Sequence, residues 1–143
     1  MLIFKMKPDR TFFETEAEAI NGMAHPIRLE ILDLLRDGEV CVCHIQAMLG
    51  QRQAYISQHL NVLRKAGLVS SRRDGLRVYY QASDPKIFET LDKVGEMLKA
   101  LGILQPDTLA STDPIQPKQP CHCPQCSPQP DEIANTRMEL ENA

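Results

Sequence analysis

With 143 residues, 43% of them hydrophobic and 24% charged, the chain is long enough for one globular domain plus appendages. No apolar run reaches membrane-spanning length, and the apolar part of Met1–Lys7 is too short for a secretory signal, so a cytoplasmic protein without membrane contact is expected. The net charge is −3, yet Arg52–Tyr80 holds six basic residues against Asp74 alone, a segment of +5 that leaves −8 for the remainder. Such a basic island fits a face built for a polyanion, although charge alone leaves an ordinary solvated surface equally open.

In chain order, Arg10–Ala24 has helical spacing through Phe12, Phe13, Ala17, Ile20 and Met23. Pro26 suits the first turn of a second helix whose buried stripe is Ile27, Ile31, Leu34 and Leu35, ended by Asp37-Gly38. A short third helix is expected over Val40–Leu49, closed by Gly50. The fourth spans Gln53–Ala66, with Ile56, Leu60 and Leu63 facing inward and Gly67 capping it. The period then changes. Leu68–Arg73 and Leu76–Gln81 read as strands joined by Asp74-Gly75, a strong hairpin signal. Asp84-Pro85 opens a last helix to about Leu104, with Ile87, Leu91, Val94, Leu98 and Leu101 on one side. Beyond it, seven of the ten prolines fall between Pro106 and Pro130, so Gln105–Pro120 reads as an extended linker and Asp131–Ala143 as an optional short helix.

The expected fold is therefore mainly α with a small β-hairpin, a winged helix-turn-helix of order α-α-α-α-β-β-α spanning residues 7–104, followed by a Pro-rich, Cys-containing tail over 105–143. In this fold the second helix of the pair lies in the major groove. With Ile56, Leu60 and Leu63 turned inward, Gln53, Tyr55, Ser57, Gln58 and His59 project outward near the helix start. Amides pair bidentately with adenine, and hydroxyls and imidazole contact bases or phosphates. Arg72, Arg73 and Arg77 on the wing would grip the backbone or minor groove. No paired acid/base constellation, phosphate loop or nucleophile motif points to an enzyme.

Five cysteines, an odd count, do not make a disulfide framework in a cytoplasmic chain. They fall in two clusters, Cys41/Cys43 and Cys121/Cys123/Cys126, which favours metal binding over scattered core packing. In a regular helix residues two apart point about 200° away from each other. Both thiols of Cys41-Val42-Cys43 can therefore face one ion only if the first turn of their helix is absent or distorted. A helix N-terminus also favours thiolate.

His25-Pro26-Ile27-Arg28 leading into EILDLL, then GEVCVCHI, ISQHLNVLRKAGLV and RRDGLRVYY, resemble in order and spacing the ArsR/SmtB family of metal-responsive bacterial repressors, over roughly Ala17–Leu104. The resemblance implies a homodimer paired through its first and last helices, bound to double-stranded operator DNA and released when metal binds. Dimerisation also fits the apolar stripes of both terminal helices, and paired reading helices about 34 Å apart match one turn of DNA. Family members often carry Ser where Arg52 stands, and Ser or Thr where Ala54 stands, which bears on the operator sequence. Cys41 and Cys43 correspond to the thiolate site of arsenic, cadmium and lead sensors. The third thiol that one arsenic-sensing pattern places on the same helix is replaced by Gln46, with His44 in place of an aspartate. The second family site needs His on the last helix, which has none. The missing ligands are therefore expected from Cys121, Cys123 and Cys126 in the tail, with His122 a possible fourth donor and the partner subunit a possible source. Three sulfurs suit As(III) or Pb(II); four suit Cd(II) or Zn(II). Two alternatives stay open: a tail that holds a structural zinc by itself, and a thiol-based redox switch. His25 and His59 are better explained by packing and DNA contact than by metal.

Overall fold

The structure, a computed structural model, describes residues 9–105, 116–121 and 123. Cys126, His122 and the optional helix at Asp131–Ala143 lie outside the described residues. Helix α1 (Arg10–Met23) starts where the Asp9 side chain accepts the Phe12 N–H at 3.0 Å. Helix α2 (Pro26–Leu34) starts with proline in its first turn, and the His25 Nδ1 accepts the Ile27 N–H at 3.2 Å. A two-residue strand β1 (Val40–Cys41) leads directly into α3 (Val42–Leu49). Gly50, at φ 64, closes α3 in the left-handed region. The reading helix α4 (Gln53–Lys65) follows, then the wing strands β2 (Val69–Asp74) and β3 (Arg77–Ala82), and finally α5 (Lys86–Ala100).

The wing is antiparallel, with Asp74 opposite Arg77 at the Asp-Gly turn. The sheet has three strands in the order β1-β3-β2, because Val40 pairs with Tyr80 and Cys41 with Tyr79. This is a winged helix-turn-helix, in the expected order except that β1 was not foreseen. The last helix also ends earlier than expected, at Ala100.

One core joins the pieces: Ile31, Leu32 and Leu35 from α2, Ile45 and Leu49 from α3, Ile56, Leu60 and Leu63 from α4, and Leu68 and Val69 at the wing. Helix α1 crosses α4 at Gly22, where an added Cβ would stand 2.7 Å from the Ala66 Cβ. Helix α5 buries no residue within the chain. It is tied to α2 by Arg36, which donates to both carboxylate oxygens of Asp92 at 2.7 and 3.2 Å and lies over the Phe88 ring. Phe12, Phe13 and Ile20 on α1, and Val94, Met97 and Leu101 at α5, stay exposed. No helix among the described residues is long and apolar enough to cross a membrane.

Candidate metal centre and nucleic-acid interface

The helical argument against convergence of Cys41 and Cys43 meets its exception here. Pairing with Tyr79 holds Cys41 extended, at φ −72 and ψ 145, as the residue before the first turn of α3. Cys43 is already inside that turn. The 200° separation therefore never develops. The two Cα atoms stand 5.4 Å apart and the sulfurs are joined as a disulfide, a local closure rather than the framework excluded from the cysteine count. The same Cα spacing suits a chelate, since two thiolates about 2.3 Å from a tetrahedral ion lie about 3.8 Å apart.

The tail supplies a third sulfur within the same chain. The backbone N–H groups of Lys118 and Gln119 donate to the Ala47 carbonyl at 2.9 and 3.1 Å. Ala47 is in the last turn of α3, where carbonyls have no partner within the helix. From there the chain runs back to the helix start, where Cys123 is buried with 2% exposure. The sulfurs of Cys41, Cys43 and Cys123 all lie within 4.8 Å of one another. Once the Cys41–Cys43 bond is reduced, three soft donors at that spacing fit a thiophilic ion. Cys121 is half-buried beside them.

These sulfurs border a cavity of about 310 Å³ lined by Cys41, Val42, Cys43 and Cys123 together with Gln53, Leu76, Arg77 and Val78. Gln53 is the first residue of the reading helix, and Arg77 begins the second wing strand. The Arg77 Nη1 is buried without a hydrogen-bond partner.

The structure places the expected DNA-contact residues unevenly and corrects the outward placement of one, His59. On α4, Gln53, Tyr55, Ser57 and Gln58 are exposed as expected, but His59 is not. It is buried at 8% exposure, 4.3 Å from the His25 ring and edge-on to Tyr55 at 4.6 Å. Its spacing explains why: His59 follows Ile56 by three and precedes Leu63 by four, on the buried stripe. Burial, with the nearby charges of His25 and Arg28, holds the His59 imidazole below its ordinary pKa. On the wing, Arg73 is exposed, whereas Arg77 is half-buried at the thiol cavity. Arg72 pairs side-on with Glu39, donating from Nε at 2.9 Å, and lies over Tyr79. The Arg72 guanidinium in turn holds the Glu39 carboxyl below the usual carboxylate range. Arg52 occupies the N-cap of α4 and offers no oxygen to its first-turn N–H groups.

A winged pair of helices with an amide- and hydroxyl-bearing outer face belongs to a class of transcriptional regulators, and comparison with known proteins gives the family. The pattern that defines the bacterial regulatory proteins of the arsR family matches residues 25–71. An uncharacterized HTH-type transcriptional regulator of Methanocaldococcus jannaschii is 40% identical over 86 residues, covering 59% of this chain and 97% of that protein. The HTH-type transcriptional repressor SmtB of Mycobacterium tuberculosis is 33% identical over 81 residues, 57% of this chain and 60% of that protein. Among solved structures, the homodimeric winged helix-turn-helix DNA-binding domain of Mb0332 from Mycobacterium bovis superposes with a TM-score of 0.58 at 29% identity, covering 71% of this chain and 96% of that one. The chain belongs to the ArsR family of transcriptional regulators and is not an enzyme.

Proposed function

We propose that this regulator is a cytoplasmic homodimeric repressor that releases its operator when a thiophilic ion binds Cys41, Cys43 and tail cysteines. One observation carries the reading. The cavity beside the three sulfurs is also walled by Gln53 and Arg77, so any rearrangement of the thiols bears on the start of the reading helix and the base of the wing. In this reading residues 7–104 form the DNA-binding and dimerisation domain and 105–143 a ligand-bearing tail. The reading face is Gln53, Tyr55, Ser57 and Gln58, with Arg73 on the backbone. Arg72, exposed but paired with Glu39, braces the wing against the chain before α3. The exposed apolar side chains of α1 and α5 cover each other across the two-fold axis, as homodimeric relatives of this fold lead one to expect.

The inducer is As(III), Pb(II), Cd(II) or Zn(II), with three-sulfur coordination favouring the first two and recruitment of Cys121 or Cys126 the others. Replacing Cys41 or Cys43 by Ser is expected to leave operator binding intact and abolish ion-induced release. Release that persists in both variants would overturn the reading.

The disulfide between Cys41 and Cys43 favours a second reading, a redox switch in which an oxidant takes two electrons from the two thiols as the S–S bond forms and two protons leave. Thiol titration during oxidant-driven release, without metal, separates the two.

A further inference from the structure

A second donor group shares Cys123. The ligand atoms of His44, Cys121 and Cys123 lie within 4.8 Å of one another, as close as those of the three-sulfur group. His44 is in the first turn of α3, one residue beyond Cys43, so its imidazole leaves the helix on a different bearing from the Cys43 thiol. Cys121 and Cys123 reach it from the docked tail, two residues apart in non-helical backbone. None of the three needs Cys41 or Cys43. The grouping is present while those two are joined to each other.

We propose that His44, Cys121 and Cys123 form a second metal site, selective for a borderline divalent ion such as Zn(II), that competes with the Cys41/Cys43 pair for the Cys123 sulfur. The donor chemistry sets the ion class. One imidazole and two thiolates suit a tetrahedral d10 ion with one position left open. A purely thiophilic ion gains more from three sulfurs than from two sulfurs and a nitrogen. Cys123 is common to both groups, so an ion on the histidine side holds the tail down while withholding the third sulfur from the sensing pair. The His44 site stands apart from the sensing role, while its competition for Cys123 rests on that reading.

The test is a Co(II) titration of the full chain carrying Cys41→Ser and Cys43→Ser, followed by displacement with Zn(II). One Co(II) per chain is expected, with the ligand-field bands of a tetrahedral ion and a sulfur-to-cobalt charge-transfer band. Adding His44→Ala or Cys121→Ser to that background should weaken binding more than about a hundredfold, beyond the roughly 10–100-fold that loss of an outer-shell partner costs. Adding Cys126→Ser should leave it unchanged. Binding indifferent to His44→Ala but lost with Cys126→Ser would mean that the tail binds the ion alone, and would overturn the site. Absence of tetrahedral Co(II) in the double variant would overturn it as well. In the unsubstituted chain, the His44 ring-nitrogen resonances should move on adding one equivalent of Zn(II), and their staying in place would be equally fatal. Operator release enters none of these readouts. Persistent release in the Cys41→Ser and Cys43→Ser variants would sink the sensing reading while leaving this one standing.

Discussion

The docking of the tail on α3 is the contact most exposed to quantitative test. Two N–H donors on the Ala47 carbonyl contribute about 0.5–1.5 kcal/mol each. Burial of Cys123, which packs as a small hydrophobe, adds about 1 kcal/mol. Against this about 3 kcal/mol stands the ordering of residues 116–121 and 123. At about 1–2 kcal/mol per residue, and less for the stiff Pro117 and Pro120, that ordering costs about 5–10 kcal/mol. The shortfall of about 2–7 kcal/mol is within what a thiolate-bound ion contributes, since structural zinc supplies about 10–16 kcal/mol near neutral pH. In reduced, chelated protein the amides of Lys118 and Gln119 should therefore exchange nearly as fast as in an unfolded peptide. With one equivalent of Zn(II) or As(III) their protection should rise at least a hundredfold, read by hydrogen exchange with residue resolution. Equal protection with and without ion would refute the reasoning, because the strap would then hold without a metal link.

Three further outcomes follow from single contacts. Gly22→Ala should destabilise the fold by about 1–2 kcal/mol in urea unfolding, because the new Cβ would sit 2.7 Å from Ala66 where carbon contacts prefer about 3.5–4.0 Å, and this overpacking outweighs a helix-propensity gain of about 1 kcal/mol. Arg52→Ser should stabilise the fold by about 1 kcal/mol in urea unfolding by capping α4, and an unchanged midpoint would show that the N-cap is satisfied without a side-chain oxygen. The neutral form of His59 is favoured in the fold, so its contribution is fully present above about pH 6.5 and is lost as pH falls into the acid range. His59→Phe should flatten that part of the Tm-against-pH curve, and an unchanged acid slope would show that His59 does not carry it.

The sequence was legible where a period or a turn chemistry repeats over several residues. Ile56, Leu60 and Leu63 declared the inner face of α4, and Asp74-Gly75 declared the wing. The strand β1 declared nothing, because two residues carry no alternation; its partners Tyr79 and Tyr80 come from a strand nearly forty positions later. That unseen strand is what allows Cys41 and Cys43 to meet. The angular argument named the condition, a missing first turn, while its cause lay in long-range pairing. His59 could have been placed correctly, since it continues the stripe of Ile56 and Leu63 at helical spacing, but its polar chemistry drew it to the DNA face. Gly22 also left a signal, because a glycine inside a helical pattern often marks close approach of another element. The part played by His44 lay hidden because its prospective partners stand almost eighty residues away.

Helix α3 is the element on which these features converge. Its eight residues span about 12 Å, and the six residues from Lys118 to Cys123, five Cα–Cα steps, can reach at most about 18 Å when extended. The tail is therefore long enough to bridge the helix from its last carbonyls to its first turn, with little slack. One end of the strap lies against Gly50, where an added Cβ would stand 3.1 Å from the Lys118 side chain, immediately before the turn into α4. The other end brings Cys123 to the cavity that Gln53 lines at the start of the same reading helix. A change in how Cys123 is bonded would thus bear on the turn between α3 and α4 from both sides. A site built on α3 alone would act from one side only. In the proposed sensor this would be the physical reason for ligands to come from a tail: the thiols at the helix start would supply the affinity, and the strap would carry their occupancy to the start of α4.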